Sequence, residues 1–446
     1  MTYTQTRWKL EALVPSKESA EIDSAISALE KKMKKLEGWR KKLKAAMPAK
    51  AFQTLLKDYE AMQWQAQRLY AYSELWFSED TQNQNALAFL SKIQQLVAEL
   101  QNRTLFFSLW WKGLDNANAK RLMKASGDAR YWLEQMRQFK PHTLSEPEEK
   151  VINIKNVNGP NALQTLYETI TNKYAFTLEV DGEKKTLTRD ALAVYVRNAN
   201  PELRASAYQE LYRVYSEAGP ILAQIYANLM HDWRSENVSL RKFKSPMAVR
   251  NLANDLPDSV VETLLKVIHK NAGVFQRYFR LKAKWLGMER LRRYDIYAPL
   301  AKSEKEYQYD DAVQMVLDTF GQFSPRVGEL AKQVFDDDHV DAEIRPGKRG
   351  GAFCYGVLPG VSPWVLLNYT GKVRDVATIA HEMGHAIHAL LAADHSVLTF
   401  HSALPMAETA SVFSEILLTE KLLAQETDPA VRRDLLAEHL LIQLSS

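Results

Sequence analysis

The chain has 446 residues, a net charge of +4 and a composition of 46% hydrophobic and 25% charged residues, as expected for a globular protein of two or three domains. The small net charge gives no reason to expect nucleic acid as a partner, and the locally basic residues 30–44 have the apolar spacing of a solvated helix. No apolar run reaches the roughly 20 residues of a membrane span, and the N-terminus lacks the apolar core of a secretory signal. We therefore expect a cytoplasmic protein with no membrane partner.

The first part of the chain has helical periodicity. From residue 17 to about 172, apolar residues recur three and four positions apart between short breaks, which predicts an antiparallel helical domain. Residues 174–188 then form two β-rich runs around Asp181-Gly182, a pair typical of a β-hairpin. We place a domain boundary here and predict an N-terminal helical domain over residues 1–175 and a second domain over residues 176–446.

The second part of the chain also has mainly helical patterns, with one region of different composition. Helical patterns extend from about residue 189 to about 286, and two more helical segments lead to residue 338. Glycine, proline and β-formers dominate residues 342–371, which predicts two or three short strands joined by a glycine-rich loop. The helical pattern returns at about residue 374 and continues to the last residue, with one break near 394–405.

The segment 373–392, "VRDVATIAHEMGHAIHALLA", contains three histidines and a glutamate in an apolar helical pattern. On a helix, His381, His385 and His388 fall on one face, while Ile379, Met383, Ala386 and Leu390 form the opposite face. Two imidazoles at i and i+4 can share one ion, and Glu382 lies beside that ion without binding it, which is the His-Glu-x-x-His zinc site of a metallopeptidase. The alternative is that these are core histidines bonded to backbone or carboxylate groups.

A catalytic zinc site needs a third protein ligand. The metzincin pattern is excluded because it requires glycine at 388 and histidine at 391, where this chain has His388 and Leu391. Because the single cysteine, Cys354, cannot build a zinc cage, the ligand must be His, Asp or Glu. We assign Glu408, on the next predicted helix, as the third ligand.

Other polar residues near the motif are given weaker roles. Glu415 is predicted to accept a hydrogen bond from a ligating imidazole, with a surface glutamate as the alternative. His388 is predicted to support the ligands or face the substrate, with plain packing as the alternative. Asp375 is expected to cap the zinc helix, and the loop residues His395 and His401 are weaker ligand candidates. Phe413 and Leu417 are expected to form the apolar back of the Glu408 helix.

The sequence resembles the zinc oligopeptidases of the oligoendopeptidase F and thimet oligopeptidase family. The resemblance is carried by "LLNYTGKVRDVATIAHEMGHAIHALL", by "AETASVFSE", and more weakly by "YDIYAP" and "RWKLEALVPS". It implies one Zn²⁺ per chain with His381, His385 and Glu408 as ligands and Glu382 as the catalytic base. The implied function is a zinc endopeptidase that hydrolyses internal bonds of short peptides. The alternative is a non-catalytic helical protein that binds peptides or serves as a scaffold, and a structural zinc site is weaker still.

The resemblance also implies a fold: a mainly α protein of antiparallel helical domains around a deep cleft, with a small antiparallel sheet beside the zinc-binding helix. Residues 176–446 would then be the zinc metallopeptidase domain. The segment "PWVLLNYTG" fits the edge strand that pairs with the substrate backbone, and the loop "PGKRGGAFCYG" would lie nearby or be an ordinary connector. Tyr355, Asn368 and Tyr369 in these segments are expected beside the ligands or the substrate.

The last segment, residues 428–446, has an apolar face that needs a partner. It is formed by Val431, Leu435, Leu436, Leu440 and Leu444. Because the family continues further past its third ligand, we expect this face to be covered by a separate C-terminal fragment or by a second copy of the chain, and we expect this chain alone to cleave peptides poorly.

Overall fold

The structure is a computed structural model that describes residues 2–15, 19–300 and 306–445, with side chains for all of these except residue 19 and residues 441–445. Seven α-helices precede residue 175 in the described part of the chain. They are α1 (Ser19–Glu37), α2 (Ala49–Glu79), α3 (Gln84–Gly113), α4 (Asn116–Met123), α5 (Arg130–Gln138), α6 (Glu146–Asn156) and α7 (Ala162–Thr171). Asn83 caps α3 by accepting from the N–H groups of Asn85 and Ala86.

A β-hairpin follows these helices, as the sequence predicts. Strands β1 (Phe176–Val180) and β2 (Glu183–Leu187) pair antiparallel, with Val180 opposite Glu183. Asp181 and Gly182 both have positive φ angles, of 54° and 82°, which suit the tight turn of a two-residue hairpin loop. The boundary placed at residues 175/176 remains a prediction.

Ten further helices are described after the hairpin. They are α8 (Arg189–Val196), α9 (Pro201–Glu217), α10 (Gly219–Arg234), α11 (Pro246–Ala253), α12 (Asp258–Trp285), α13 (Tyr309–Phe323), α14 (Pro325–Asp336), α15 (Val373–Leu391), α16 (Leu404–Gln425) and α17 (Pro429–Ser445). The mainly helical fold is therefore confirmed. Among the described residues, no helix combines the length and the apolar character needed to cross a bilayer.

A three-stranded sheet lies beside α15. Its strands β3 (Val340–Asp341), β4 (Phe353–Tyr355) and β5 (Trp364–Leu366) have the order β3-β5-β4. The expected antiparallel pairing is present between β4 and β5, with Cys354 opposite Val365, whereas β3 adds a short parallel pair on the other side of β5. The sheet is therefore mixed, because β3 and β4 pair with opposite sides of the same strand.

The prediction that "PWVLLNYTG" is the edge strand is wrong. Strand β5, which this segment contains, is central, and Val365 N–H donates to His339 O at 2.9 Å on the β3 side. The backbone of Cys354, opposite Val365, consequently faces away from β5. The edge strand of this sheet nearest to α15 is β4.

Strand β5 separates two hydrophobic cores. Trp364 and Leu366 pack with the N-terminal helices in one core, while Val365 and Leu367 pack with α13, α14 and α15 in the other. This alternation follows from the two-residue period of a strand, and all four side chains are buried because both faces of the sheet are covered.

The N-terminal segment, residues 2–10, is tied to the same sheet. Ala342 N–H donates to Thr6 O, and Lys9 N–H donates to Asp338 O at 2.8 Å. Trp364 Nε1–H donates to Lys9 O, also at 2.8 Å. Trp8 is buried in the core that contains Trp364. This segment therefore joins the first residues of the chain to the sheet beside α15.

Helix α17 has the apolar residues expected of the last segment, but in two groups. Val431 and Leu435 line a cavity, whereas Leu436 and Leu440 are 47% and 46% exposed. The side chain of Leu444 lies outside the described part of the structure. The need for a covering partner remains a prediction.

Candidate active site

Helix α15 presents two imidazoles on one side and an apolar surface on the other. His381 Nε2 and His385 Nε2 are 3.2 Å apart, because residues four apart on a helix are neighbours. On the opposite face, Ile379, Met383 and Ala386 are fully buried in the core that α15 shares with α13 and α14. The packing of that face fixes the helix and leaves the imidazoles directed away from the core.

Helix α16 brings a carboxylate to the pair. Glu408 Oε2 lies 3.4 Å from His381 Nε2 and 3.6 Å from His385 Nε2. Ser411 Oγ donates to the same oxygen at 2.8 Å and so holds the carboxylate in place. In the described parts of the chain this is the group of His, Cys, Asp and Glu side chains whose donor atoms converge closely enough for one metal ion.

The donor set fits a zinc ion. Two atoms bound to one tetrahedral zinc at 2.0–2.1 Å lie roughly 3.3 Å apart, close to the three separations between His381, His385 and Glu408. Two imidazole nitrogens and one carboxylate oxygen are also the ligand types that catalytic zinc uses while leaving a fourth position open.

A second carboxylate of α16 orients the first imidazole. Glu415 Oε1 lies 2.5 Å from His381 Nδ1, so the ring donates from Nδ1 and leaves Nε2 available toward Glu408. Burial lowers the pKa of His381, but the hydrogen bond to Glu415 and the nearby carboxylates outweigh it, and that pKa is raised. The contact is the one that the sequence analysis expected of Glu415.

The two helices approach closely at a glycine. A Cβ at Gly384 would lie 2.6 Å from Ser414 Oγ and 2.7 Å from Ala410 O. The buried face of α16 is consequently the one that contains Ser411, Ser414 and Leu418. The prediction that Phe413 and Leu417 form its apolar back is therefore wrong for Phe413, which is exposed and packs edge-on against Phe323.

Glu382 lies next to the donor group but is not part of it. Its carboxylate lies near the backbone of Cys354 in β4, which acts to lower its pKa, and the residue is only 6% exposed. Burial, together with Glu408 and Glu415, raises the pKa of Glu382 to about 7. Burial and the charge of His381 lower the pKa of His385.

A cavity of about 900 Å³ reaches the donor group at His381. His381, Glu382 and Glu415 line one part, and Gly351 and Ala352 before β4 line another. Helices α8, α15 and α17 contribute much of the remaining wall, together with residues such as Tyr297, Pro299 and Tyr307. The site therefore lies in an internal cleft with the glycine-rich loop and the edge strand at its side.

Of the other residues predicted beside the ligands or the substrate, only some reach the cavity. Asn368 lines the cavity and donates to Gly351 O at 2.8 Å, which holds the glycine-rich loop. Tyr369 is buried below the cavity, where its hydroxyl donates to Tyr307 O. Tyr355 and His388 are half-buried and are not in the cavity wall. We therefore retain Asn368 and leave the other three out of the site.

The remaining polar residues lie elsewhere. His395 contacts Asp128 at 3.0 Å, and His401 is exposed beside Phe400, so neither joins the donor group. Asp375 accepts from the backbone N–H groups of Thr370 and Lys372 at the start of α15, as expected of a capping residue.

Sequence reasoning missed the charged residues at the far end of the cavity, namely Arg197, Arg374 and Glu438. The sequence could have identified Arg374, because it precedes His381 by seven residues and therefore lies on the same helix face. Arg197 and Glu438 lie on distant segments, and no spacing within the sequence relates them to the histidines.

The chain is similar to known proteins along most of its length. The family described as Peptidase family M3 matches residues 194–441, more than half of the chain. The chain belongs to this family. A second family model, described as Oligopeptidase F, matches residues 110–176. M3 membership confirms the resemblance to the oligoendopeptidase F group.

Among curated M3 relatives, oligopeptidase PepF of Bacillus subtilis is 24% identical over 437 residues, covering 95% of this chain and 64% of that protein. Group B oligopeptidase PepB of Streptococcus agalactiae is 25% identical over 384 residues, covering 84% of this chain and 63% of that protein. The chain thus spans less than two thirds of the length of these relatives.

Solved structures show the same fold. Oligoendopeptidase F from Enterococcus faecium matches with a TM-score of 0.64 and 21% identity, covering 94% of this chain and 70% of that one. PZ peptidase A with an inhibitor matches with a TM-score of 0.74 and 16% identity, covering 89% of this chain and 69% of that one.

Proposed function

We propose that this chain contains the catalytic site of a zinc-dependent endopeptidase that hydrolyses internal bonds of short peptides. The observation that carries the proposal is the convergence of His381, His385 and Glu408 next to a separate buried carboxylate, Glu382. Membership of a peptidase family supports it. A non-catalytic peptide-binding protein is not favoured, because the described site keeps both the donor group and the adjacent acid. The cytoplasmic location expected from the sequence stays a prediction.

The metal would be held by His381 Nε2, His385 Nε2 and Glu408 Oε2. Zinc bound there supplies a Lewis acid that polarises a carbonyl group and lowers the pKa of water. Glu415 keeps the His381 ring oriented by accepting its Nδ1–H.

Glu382 is placed to move the proton. Its carboxylate takes one proton from the attacking water as the water oxygen bonds to the scissile carbonyl carbon, and gives it to the amide nitrogen as the C–N bond breaks. Burial raises its pKa above the ordinary value of a glutamate, which favours a group that must release a proton as well as accept one.

Strand β4 is the candidate for positioning the substrate. Its outer edge is beside Glu382, and Ala352, which precedes the strand, lines the cavity. An extended peptide could pair with this edge through its own backbone N–H and C=O groups, which requires no particular side chains. The cleft would admit a short extended chain and exclude a folded domain.

The test combines metal content with turnover of a quenched fluorescent peptide. We expect about one zinc per chain, retained in Glu382→Gln with nearly all turnover lost, and bound more weakly in Glu408→Gln. Glu420→Gln, an exposed residue of the same helix, is the control and should match the parent. Absence of stoichiometric metal after zinc is supplied, or normal turnover in Glu382→Gln, would refute the proposal.

A further inference from the structure

Two arginines share one carboxylate at the end of the cavity away from the histidine pair. Arg197 Nη1, just after α8, lies 3.4 Å from Glu438 Oε1 of α17. Arg374 Nη1, in the first turn of α15, lies 3.5 Å from the same oxygen. All three residues line the cavity.

Among the residues that the structure describes, these contacts leave most of the hydrogen-bonding capacity of the arginines unused. A guanidinium has five N–H donors and binds a carboxylate best through two parallel bonds of about 2.7–2.9 Å, whereas each arginine here makes one longer contact. The remaining close partner of Arg197 is the ring of Tyr297, 4.7 Å from its guanidinium carbon. The arginines are therefore positioned but only weakly bound.

Arg197 also lies in an environment that disfavours its charge. Burial, and then the charge of Arg374, lower the pKa of Arg197 despite the opposing effects of Glu438, Tyr297 and Asp375. Asp375 already accepts from Thr370 and Lys372, and Asp434 accepts from Leu300 N–H at 2.6 Å. The two guanidinium groups consequently share the Glu438 carboxylate, and a second carboxylate could accept from their remaining N–H groups.

The distance along α15 from Arg374 to His381 indicates how far from the scissile bond a bound carboxylate would lie. Arg374 precedes His381 by two helical turns, roughly 10 Å along α15, and Ala377 and Thr378 line the cavity between them. An extended peptide advances about 3.3 Å per residue, so this span corresponds to about three residues.

We propose that Arg197 and Arg374 form a subsite that binds a carboxylate of the substrate about three residues from the scissile bond, and that Glu438 occupies it in the absence of substrate. The inference rests on the proposed peptidase function and adds its substrate preference. The carboxylate can come from the C-terminus of a short peptide or from an Asp or Glu side chain. Glu438 is itself such a carboxylate and shows that the group fits.

The experiment measures binding separately from cleavage. Labelled heptapeptides of one sequence would be titrated into zinc-loaded Glu382→Gln protein and followed by fluorescence anisotropy. The first pair of peptides has a blocked N-terminus and either a blocked or a free C-terminus. In the remaining pairs both ends are blocked, and one position at a time carries either glutamate or its neutral counterpart, glutamine. We expect at least one carboxylate form to bind about tenfold more tightly than its neutral twin. The form that gains identifies the source of the carboxylate.

Variants assign the effect to the arginines. Arg197→Gln and Arg374→Gln should each remove most of the preference. Arg293→Gln, which removes an arginine that contacts the Tyr297 ring but does not line the cavity, should leave it unchanged. Glu438→Gln should increase affinity for the carboxylate peptides alone, a gain that misfolding cannot produce. Equal binding of charged and neutral twins, or a preference that survives Arg374→Gln, would overturn the inference.

Cleavage sites in the Glu382 parent protein distinguish the two proposals. Mass spectrometry should place cleavage about three residues from the preferred carboxylate. A carboxylate preference in binding without any cleavage by the zinc-loaded parent would contradict the peptidase proposal and leave the subsite standing. Cleavage with no dependence on the carboxylate would contradict the subsite and leave the peptidase proposal standing.

Discussion

Gly384 of α15 lies against Ser414 of α16, at a distance where a methyl group on the glycine would be 2.6 Å from Ser414 Oγ. This contact determines the separation of the two helices. It also determines whether Glu408 and Glu415 of α16 can reach His381 of α15, since both carboxylates lie within 3.4 Å of that ring. The geometry of the donor group therefore depends on a position that has no side chain.

We expect Gly384→Ala to lower the free energy of unfolding by about 1–3 kcal/mol, because the added methyl group overpacks the interface against Ser414 Oγ, Ala410 O and Ser411 Cα. Zinc affinity should fall as well, because Glu408 moves away from the imidazoles. Urea unfolding and chelator competition measure the two effects. Gly273→Ala in α12 is the control: a Cβ there contacts nothing within 4 Å, so helix propensity should stabilise it by up to about 1 kcal/mol. Equal stability of Gly384→Ala and the parent would contradict this account.

Glu415→Ala should reduce zinc affinity about 10- to 100-fold, because the His381 ring loses the acceptor that fixes its orientation. Glu415→Gln keeps an oxygen acceptor and should lose less. Competition with a chromophoric chelator gives the affinities, and Glu420→Ala on the exposed side of α16 is the control. If Glu415→Ala binds zinc as tightly as this control, Glu415 has only a packing role.

Each half of the donor group was predictable because the information for it is local. His381 and His385 are four residues apart on one helix, and Glu415 follows Glu408 by seven residues on the next, so helical geometry places each pair on one face. The hairpin at Asp181-Gly182 was predictable for the same reason, since the turn type is set by the two residues that form it.

The position of β5 in its sheet was not predictable in this way. A run of buried apolar residues such as Trp364–Leu366 is compatible with a central or an edge strand, and pairing partners from residues 340 and 354 decide between them. Arg197 and Glu438 meet across 241 residues of sequence, so their contact depends on the packing of α8, α15 and α17. Phe413 was misassigned because small residues, not large apolar ones, form the contact between α15 and α16.

Lys348→Met should lower the free energy of unfolding by about 3 kcal/mol or more. Lys348 Nζ is buried and donates to Glu343 O at 2.7 Å and Leu367 O at 2.5 Å, and it lies 2.7 Å from Asp341 Oδ1. Its removal takes this donor from the two carbonyl groups and leaves the buried Asp341 with Arg345 alone as its cationic partner. Chemical denaturation measures the loss. The control is Lys332→Met, which removes an exposed ion pair with Asp336 and should cost less than about 1 kcal/mol. A loss no larger than that of the control would show that the buried contacts contribute little.

The His339 ring gives a pH dependence of stability. It is buried against Trp364 and donates from Nδ1 to Ser362 O at 2.9 Å, and burial lowers its pKa below 6.5. The unfolded chain consequently binds more protons than the folded chain between the lowered pKa and 6.5, so stability is lost as pH falls below 6.5. Relative to His339→Asn, the parent should lose at most about 1.4 kcal/mol per pH unit in that window.

Unfolding free energies of the parent and His339→Asn between pH 7.5 and 5 provide the test. His269→Asn, on the exposed side of α12, is the control and should follow the parent at every pH. A constant difference between the parent and His339→Asn across the range would show that the buried ring does not titrate differently on folding.

The packing of Trp8 with Trp364 has a consequence for synthesis. Trp8 leaves the ribosome 356 residues before Trp364, the indole that shares its core and donates to Lys9 O. At 5–20 residues per second, that interval is roughly 20–70 s, during which the N-terminal helices are made while the strands that complete their core do not yet exist. Trp8 Nε1–H can donate to Glu79 once α2 has been made, but the side of the core that Trp364 and Leu366 cover stays open until those residues have emerged. The core of the N-terminal helices is therefore completed only after the sheet has been synthesised.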